Sequence, residues 1–272
     1  MIRIPTGTAL PTPLETPLVR MGRVWVKPEL WQWTGSVKYR MVHAKIEAAL
    51  REGVLVPGMT LIEATSGSTG AALAHAGEVL GFPVELHAYP SIAPGKKVRI
   101  EERGASLLLH PAETPFLRIL DLVRHKASIG AYWHLDQYDR RSTLAAYGGL
   151  CQELIGQLRA QGLQPEVLAC PVGTGGMIQA LGCALREQHP GIRVVAIEPE
   201  AGSAIEGTRN TETFHLGARD PYDRSFPDEV IRVVPPKARV ALGSLVLGES
   251  ASAACAAAAD RPWGSTVIVA AD

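Results

Sequence analysis

No charge of either sign dominates this chain: Lys+Arg and Asp+Glu both number 27, so the formal net charge is zero. That balance gives no electrostatic pull toward nucleic acid or an anionic membrane surface. Cysteine is scarce. The four present (Cys151, Cys170, Cys183, Cys255) form no C-x-x-C pair, which argues for buried free thiols in a reducing compartment rather than disulfides or zinc. The eight histidines show no metal-ligand spacing. No apolar run approaches the ~20 residues of a membrane span. Met1-Ile2-Arg3-Ile4-Pro5-Thr6-Gly7 lacks the apolar core of a secretory signal. These absences set the expectation of a cytoplasmic protein without a metal, a membrane or a nucleic-acid partner. Apolar residues make up 46% of the 272 positions, enough to bury a substantial core in one large domain or two modest ones.

What is present is an alternation of short apolar runs and helical patterns. Val24–Lys27, Thr60–Ala64, Val84–Tyr89, Ser106–Leu109, Glu166–Cys170, Ile192–Ile197 and Thr266–Ala271 read as strands. Between them, helices are expected over 37–51, 71–80, 95–103, 115–126, 143–161, 177–188 and 250–259. Apolar strands alternating with helices imply mostly parallel sheets covered on both faces. The polar stretch 202–227 reads as a long loop or mobile flap.

Three small-residue motifs carry the chemistry. Thr34-Gly35-Ser36-Val37-Lys38 places a lysine at a helix start, near Trp31 and Trp33. Such a lysine is either a solvated surface charge or, if partly desolvated, a nucleophilic amine. Thr65-Ser66-Gly67-Ser68-Thr69-Gly70 follows a strand and opens a helix. Its hydroxyls and amides suit a carboxylate, and they equally suit an over-supplied helix cap. Gly173-Thr174-Gly175-Gly176 has the same setting. It is a phosphate cradle or a plain tight turn. It lacks both the Lys-Ser/Thr ending of a nucleotide P-loop and the G-x-G-x-x-G of a dinucleotide fold, so a smaller cofactor's phosphate is the better fit.

Taken together and in this order, the motifs resemble the fold-type II pyridoxal-phosphate enzymes, of the cysteine synthase and cystathionine β-synthase branch. Thr16-Pro17-Leu18-Val19, Gln137-Tyr138 and Ala196-Ile197-Glu198-Pro199 extend the likeness over nearly the whole chain. The resemblance implies two three-layer α/β/α domains of the tryptophan synthase β kind: a large one of residues 1–40 and 143–272, a small one of 41–142, and the cofactor in the cleft between. It implies that Lys38 carries pyridoxal 5′-phosphate as a Schiff base and later removes the substrate α-proton. Ser68 and Gly173, Thr174, Gly175 and Gly176 would bind the cofactor. Thr65, Ser66, Gly67, Thr69 and Gln137 would bind the substrate carboxylate. The implied reaction is β-replacement or β-elimination on an O-activated serine, with a small nucleophile such as sulfide, in a homodimer. Ser68 stands where the family has Asn, Tyr39 where it has Asp, and Met177 where it has a phosphate-binding Thr. Gly248-Glu249-Ser250-Ala251-Ser252 replaces a Gly-x-Ser-Ser-Gly run. These departures surround the cofactor and imply a divergent substrate or nucleophile. They also leave a second reading, a non-catalytic relative that binds a partner protein.

Overall fold

The computed structural model describes residues 9–65, 67–243 and 245–272. Its first elements are an antiparallel pair, β1 (Val19–Met21) and β2 (Val24–Pro28). Then come α1 (Lys38–Arg51), β3 (Thr60–Ala64), α2 (Ser68–Leu80), β4 (Val84–Ala88) and α3 (Pro94–Glu101). Next are β5 (Ser106–Leu109), α4 (Phe116–Ser128), β6 (Tyr132–His134), α5 (Arg140–Ala146) and α6 (Gly148–Ala160). β7 (Val167–Pro171), α7 (Gly176–Gln188), β8 (Arg193–Pro199) and β9 (Glu229–Val233) follow. A short ribbon of β10 (Ala241–Leu242) and β11 (Leu245–Val246) precedes α8 (Glu249–Ala259) and β12 (Thr266–Ala270).

Local chemistry sets many of these boundaries. α2 ends at Gly81, left-handed at φ 75°, whose N–H bonds the Gly77 carbonyl. α3 begins with Pro94, whose missing N–H costs nothing in a first turn. Asp139 caps α5 by accepting from the Ser142 N–H at 2.8 Å. The single helix expected over 143–161 is two. Tyr147, at φ −88° and ψ 1°, leaves the helical region, and Gly148-Gly149 after it are weak helix formers. β1, β6 and β9 were not expected. β1 is the three-residue arm of a tight hairpin with β2, whereas β6 and β9 become strands only by pairing with β3 and β8, distant in sequence.

The chain divides into two compact units. One holds Lys38–Gln137 and the described part of 1–13. Its sheet is parallel throughout, in the order β5-β4-β3-β6. α2 packs against α3, and α4 packs on β3 and β6. Leu61, Leu73, Leu86, Ile100 and Leu120 fill its core, each contributing about 1.5–3 kcal/mol by leaving water.

The other unit holds Leu14–Val37 and Tyr138–Asp272. Its six strands run β1-β2-β12-β7-β8-β9, parallel apart from β1. β7 and β12 are buried along their whole length, as central strands covered on both faces must be. α8 packs on one face against Val26, Ala169, Ile197 and Ile268. Lys27, with no exposed surface, donates to the Thr16 carbonyl at 2.7 Å and pairs with Glu153 at 2.5 Å.

Cys151, Cys170 and Cys255 are buried free thiols, while Cys183 is exposed. Among the described residues no helix is long and apolar enough to cross a membrane, and no three metal-ligating side chains gather.

Candidate active site

In open parallel sheets, ligands bind outside the carboxyl ends of strands, where the strand order reverses. The smaller unit reverses between β3 and β6. The loops leaving those two strands carry Thr65–Thr69 and Gln137. They meet: the Thr69 hydroxyl donates to Gln137 Oε1 at 2.7 Å, and Gln137 Nε2 donates to the Ala64 carbonyl at 2.9 Å. Thr65, Thr69 and Gln137 are all buried.

Gly67 turns the chain into α2 at φ 139°, a conformation L side chains rarely adopt. Its N–H donates to Thr65 Oγ1 at 3.2 Å. A Cβ on Gly67 would lie 2.8 Å from the Lys96 Cδ, so the buried Lys96 stem covers this turn. Ser68 is half-buried as the first residue of α2. Ser66 lies outside the described residues. The α2 N-terminus therefore presents amides and hydroxyls at the switch point, where its dipole favours an anion.

Glu63 organises this constellation and was missed in the sequence. It is fully buried, and its carboxylate accepts the Gln137 N–H at 3.0 Å and the Ala64 N–H at 2.7 Å. Lys45 holds the same loop from α1, donating to the carbonyls of Leu135 at 3.1 Å and Asp136 at 2.7 Å. Asp136 between them sits at φ 46°. The available signal was a lone carboxylate inside an otherwise apolar strand, Thr60-Leu61-Ile62-Glu63-Ala64.

His134 Nε2 lies 3.4 Å from Glu63 Oε1. Burial works to lower the His134 pKa, but the carboxylates of Glu63 and Asp136 outweigh it, and the net shift is upward. A raised folded pKa means the pair stabilises fully below the free value of about 6.5 and that this stability is lost as pH rises through the folded value. The melting-temperature advantage of the wild type over His134→Gln is therefore expected to be largest near pH 6 and to shrink toward pH 8. An advantage that grows with pH would contradict this pairing.

Lys38 is the first residue of α1 and is half-buried. Trp31 and Trp33 are 43% and 49% exposed. Next to it, Tyr39 is fully buried and donates to the Pro11 carbonyl at 2.6 Å. Burial, then the charge of Glu47, pushes its pKa up to about 12. Tyr39 is thus a neutral donor fixing the chain, not a base.

The larger unit reverses its strand order between β7 and β12, and Gly173–Gly176 leaves β7 at that point. Gly175 is left-handed at φ 85°, and a Cβ there would fall 2.3 Å from the Tyr222 ring. A Cβ on Gly176 would fall 2.5 Å from Thr143 Cγ2. Both glycines are needed for close approach of neighbouring groups. Thr174 is buried and its hydroxyl has no hydrogen-bond partner. Backbone amides at the start of α7, a bare glycine turn and an orphaned hydroxyl are what a phosphate dianion requires.

The stretch 202–227, expected as a long loop or mobile flap, is a long loop with one short 3-10 turn at Gly217–Arg219. Arg209 forms a bidentate pair with Asp220 at 2.9 and 2.6 Å, and its N–H bonds the Val172 carbonyl at 2.8 Å.

Known proteins share this architecture. Residues 8–262 match the family described as pyridoxal-phosphate dependent enzyme. Cysteine synthase B of Escherichia coli (strain K12) is 31% identical over 227 residues, which are 80% of this chain and 74% of that protein. The crystal structure of O-ureido-L-serine synthase is 26% identical with a TM-score of 0.80, over 94% of this chain and 87% of its own. That of cysteine synthase from Entamoeba histolytica is 25% identical with a TM-score of 0.76, over 94% and 84%. The family match spans most of the chain and the fold is shared, so this protein belongs to the fold-type II pyridoxal-phosphate-dependent enzymes as a member of the cysteine synthase family.

Proposed function

We propose that the chain catalyses β-replacement on an O-activated serine or a similar β-substituted amino acid, with β-elimination when no nucleophile is present. The observation that carries this reading is the Thr69–Gln137 pair at the β3/β6 switch point, positioned by Glu63 and Lys45. The relatives named above are synthases, and nothing supports the non-catalytic reading.

Each residue then has a role in the chain's own chemistry. Lys38 Nζ would hold the cofactor and would serve as general base for the substrate α-proton. Thr65, Ser66, Thr69 and Gln137 hold the substrate carboxylate, helped by the α2 dipole. Gly67 lets the backbone approach it, and Ser68 at the start of α2 would help bind the cofactor. Gly173–Gly176 bind the phosphate; the orphaned Thr174 hydroxyl and the bare turn at Gly175 fit that group. Bound pyridoxal phosphate supplies an electron sink for charge developing at the substrate Cα. The leaving group departs from Cβ, and the incoming nucleophile bonds to the same carbon.

The test is steady-state turnover of cofactor-saturated protein on O-acetylserine and O-phosphoserine, with and without sulfide. Cysteine formation with sulfide, with release of acetate or phosphate, would place the protein with the cysteine synthases. Pyruvate release without added nucleophile would show elimination. No consumption of any β-substituted amino acid would sink the reading.

A further inference from the structure

The mechanism above leaves the buried hydroxyls of Tyr147 and Tyr222, both beside the phosphate loop, unused, and Tyr222 is the one packed on Gly175. Tyr222 is 4% exposed, the base of its ring packs on Gly175, and its hydroxyl has no hydrogen-bond partner. A buried hydroxyl left unpaired is unfavourable, and such groups in native proteins usually await a ligand or a water. The hydroxyl of Thr174, the residue before Gly175, is orphaned as well. Met177, in the first turn of α7, contributes no hydroxyl.

The position of Tyr222 is fixed on both sides. Gln179 of α7 donates to the Pro221 carbonyl at 3.1 Å and accepts the Asp223 N–H at 3.2 Å. The Tyr222 N–H itself donates to Asp220 Oδ1 at 3.0 Å, and Asp220 is locked to Arg209. One glutamine amide and one buried ion pair therefore clamp this tyrosine to the helix whose N-terminus forms the cradle. Burial, then the charge of Glu198, raises the phenol pKa, so the hydroxyl stays protonated and able to donate.

We propose that the Tyr222 hydroxyl donates a hydrogen bond to the phosphate of the bound cofactor, adding a donor from the 202–227 loop to the Gly173–Gly176 cradle. This rests on the reading that Gly173–Gly176 hold that phosphate. It assigns the loop a binding role and makes the Gln179 and Arg209–Asp220 contacts positioning devices for one hydroxyl.

The experiment is equilibrium titration of the full chain, stripped of cofactor, with pyridoxal phosphate and separately with pyridoxal, which lacks the phosphate. Tyr222→Phe keeps the ring that packs on Gly175 and removes only the donor. It is expected to weaken pyridoxal phosphate binding about tenfold, the loss of roughly one hydrogen bond to a charged group, while pyridoxal binding changes by less than about twofold. A shift of the bound phosphate's phosphorus NMR signal in the reconstituted variant would support the same contact. Unchanged affinity for pyridoxal phosphate, or equal losses for both ligands, overturns the proposal. Thr174→Val separates the two layers. If it lowers the preference for the phosphorylated ligand and Tyr222→Phe does not, only the Tyr222 proposal fails. If neither variant changes that preference, the phosphate loop itself has been misassigned.

Discussion

Lys38→Ala is expected to fold, to bind pyridoxal phosphate only non-covalently, and to lose at least about a thousandfold in turnover. Removing a positioned general base costs about 10²–10⁴ on its own, and the same substitution removes the covalent tether. Stability should change by no more than about 0.5 kcal/mol, because the residue is half-buried at a helix start and alanine is the best helix former. The decisive measurement is mass spectrometry after borohydride treatment. The wild type should carry the cofactor mass on a Lys38 peptide, and the variant should carry none.

Burial alone would have nominated a different lysine. Lys27 has no exposed surface, but its ammonium is held by Glu153, Gln157 and the Thr16 carbonyl. Lys45 is buried too and holds the Leu135 and Asp136 carbonyls. Both amines already serve the fold as charged donors, a poor starting point for a nucleophile. Cofactor found on Lys27 or Lys45, or turnover of Lys38→Ala within tenfold of wild type, would defeat the assignment.

Gly175→Ala is expected to cost about 2–4 kcal/mol of stability and at least tenfold in cofactor affinity. Two terms add. A left-handed residue with a Cβ costs about 1–2 kcal/mol, and Gly175 sits at φ 85°. The new methyl would also fall 2.3–2.6 Å from three Tyr222 atoms, and forcing such a group into packed surroundings costs about 1–3 kcal/mol. Gly202 provides the comparison. It has φ 81° with nothing within 4 Å of its added Cβ, so Gly202→Ala should show the backbone term alone. Urea unfolding of the two variants, with cofactor titration of each, makes the test. Equal stability losses would mean that Tyr222 yields freely and that its contact with Gly175 is not tight.

Much of the layout was legible because its signals are local. β3 and β7 are short apolar runs ending in small-residue loops, and α2 and α7 follow directly. Glycine and proline punctuation places those transitions within a few residues. The helix break at Tyr147 escaped because the pattern on either side continues, and a buried tyrosine beside two glycines does not announce a kink. β6 escaped because three residues, Tyr132–His134, become a strand only by pairing with Thr60–Ile62, more than seventy positions away.

The sequence by itself determined the kind and order of most elements, the parallel-sheet class and the loops at which small residues collect. Those follow from periodicity and from the conformational limits of individual residues, which need no partner. Only the tertiary structure decided which loops lie at a strand-order reversal, since that depends on how strands far apart in the chain pair. It also decided that Glu63 faces the Gln137 and Ala64 amides, that Lys27 is a structural cation, and that Tyr222 packs on Gly175. A carboxylate, an ammonium and a phenol look the same in sequence whether they meet water or each other. Burial and the few ångströms between them assign the roles.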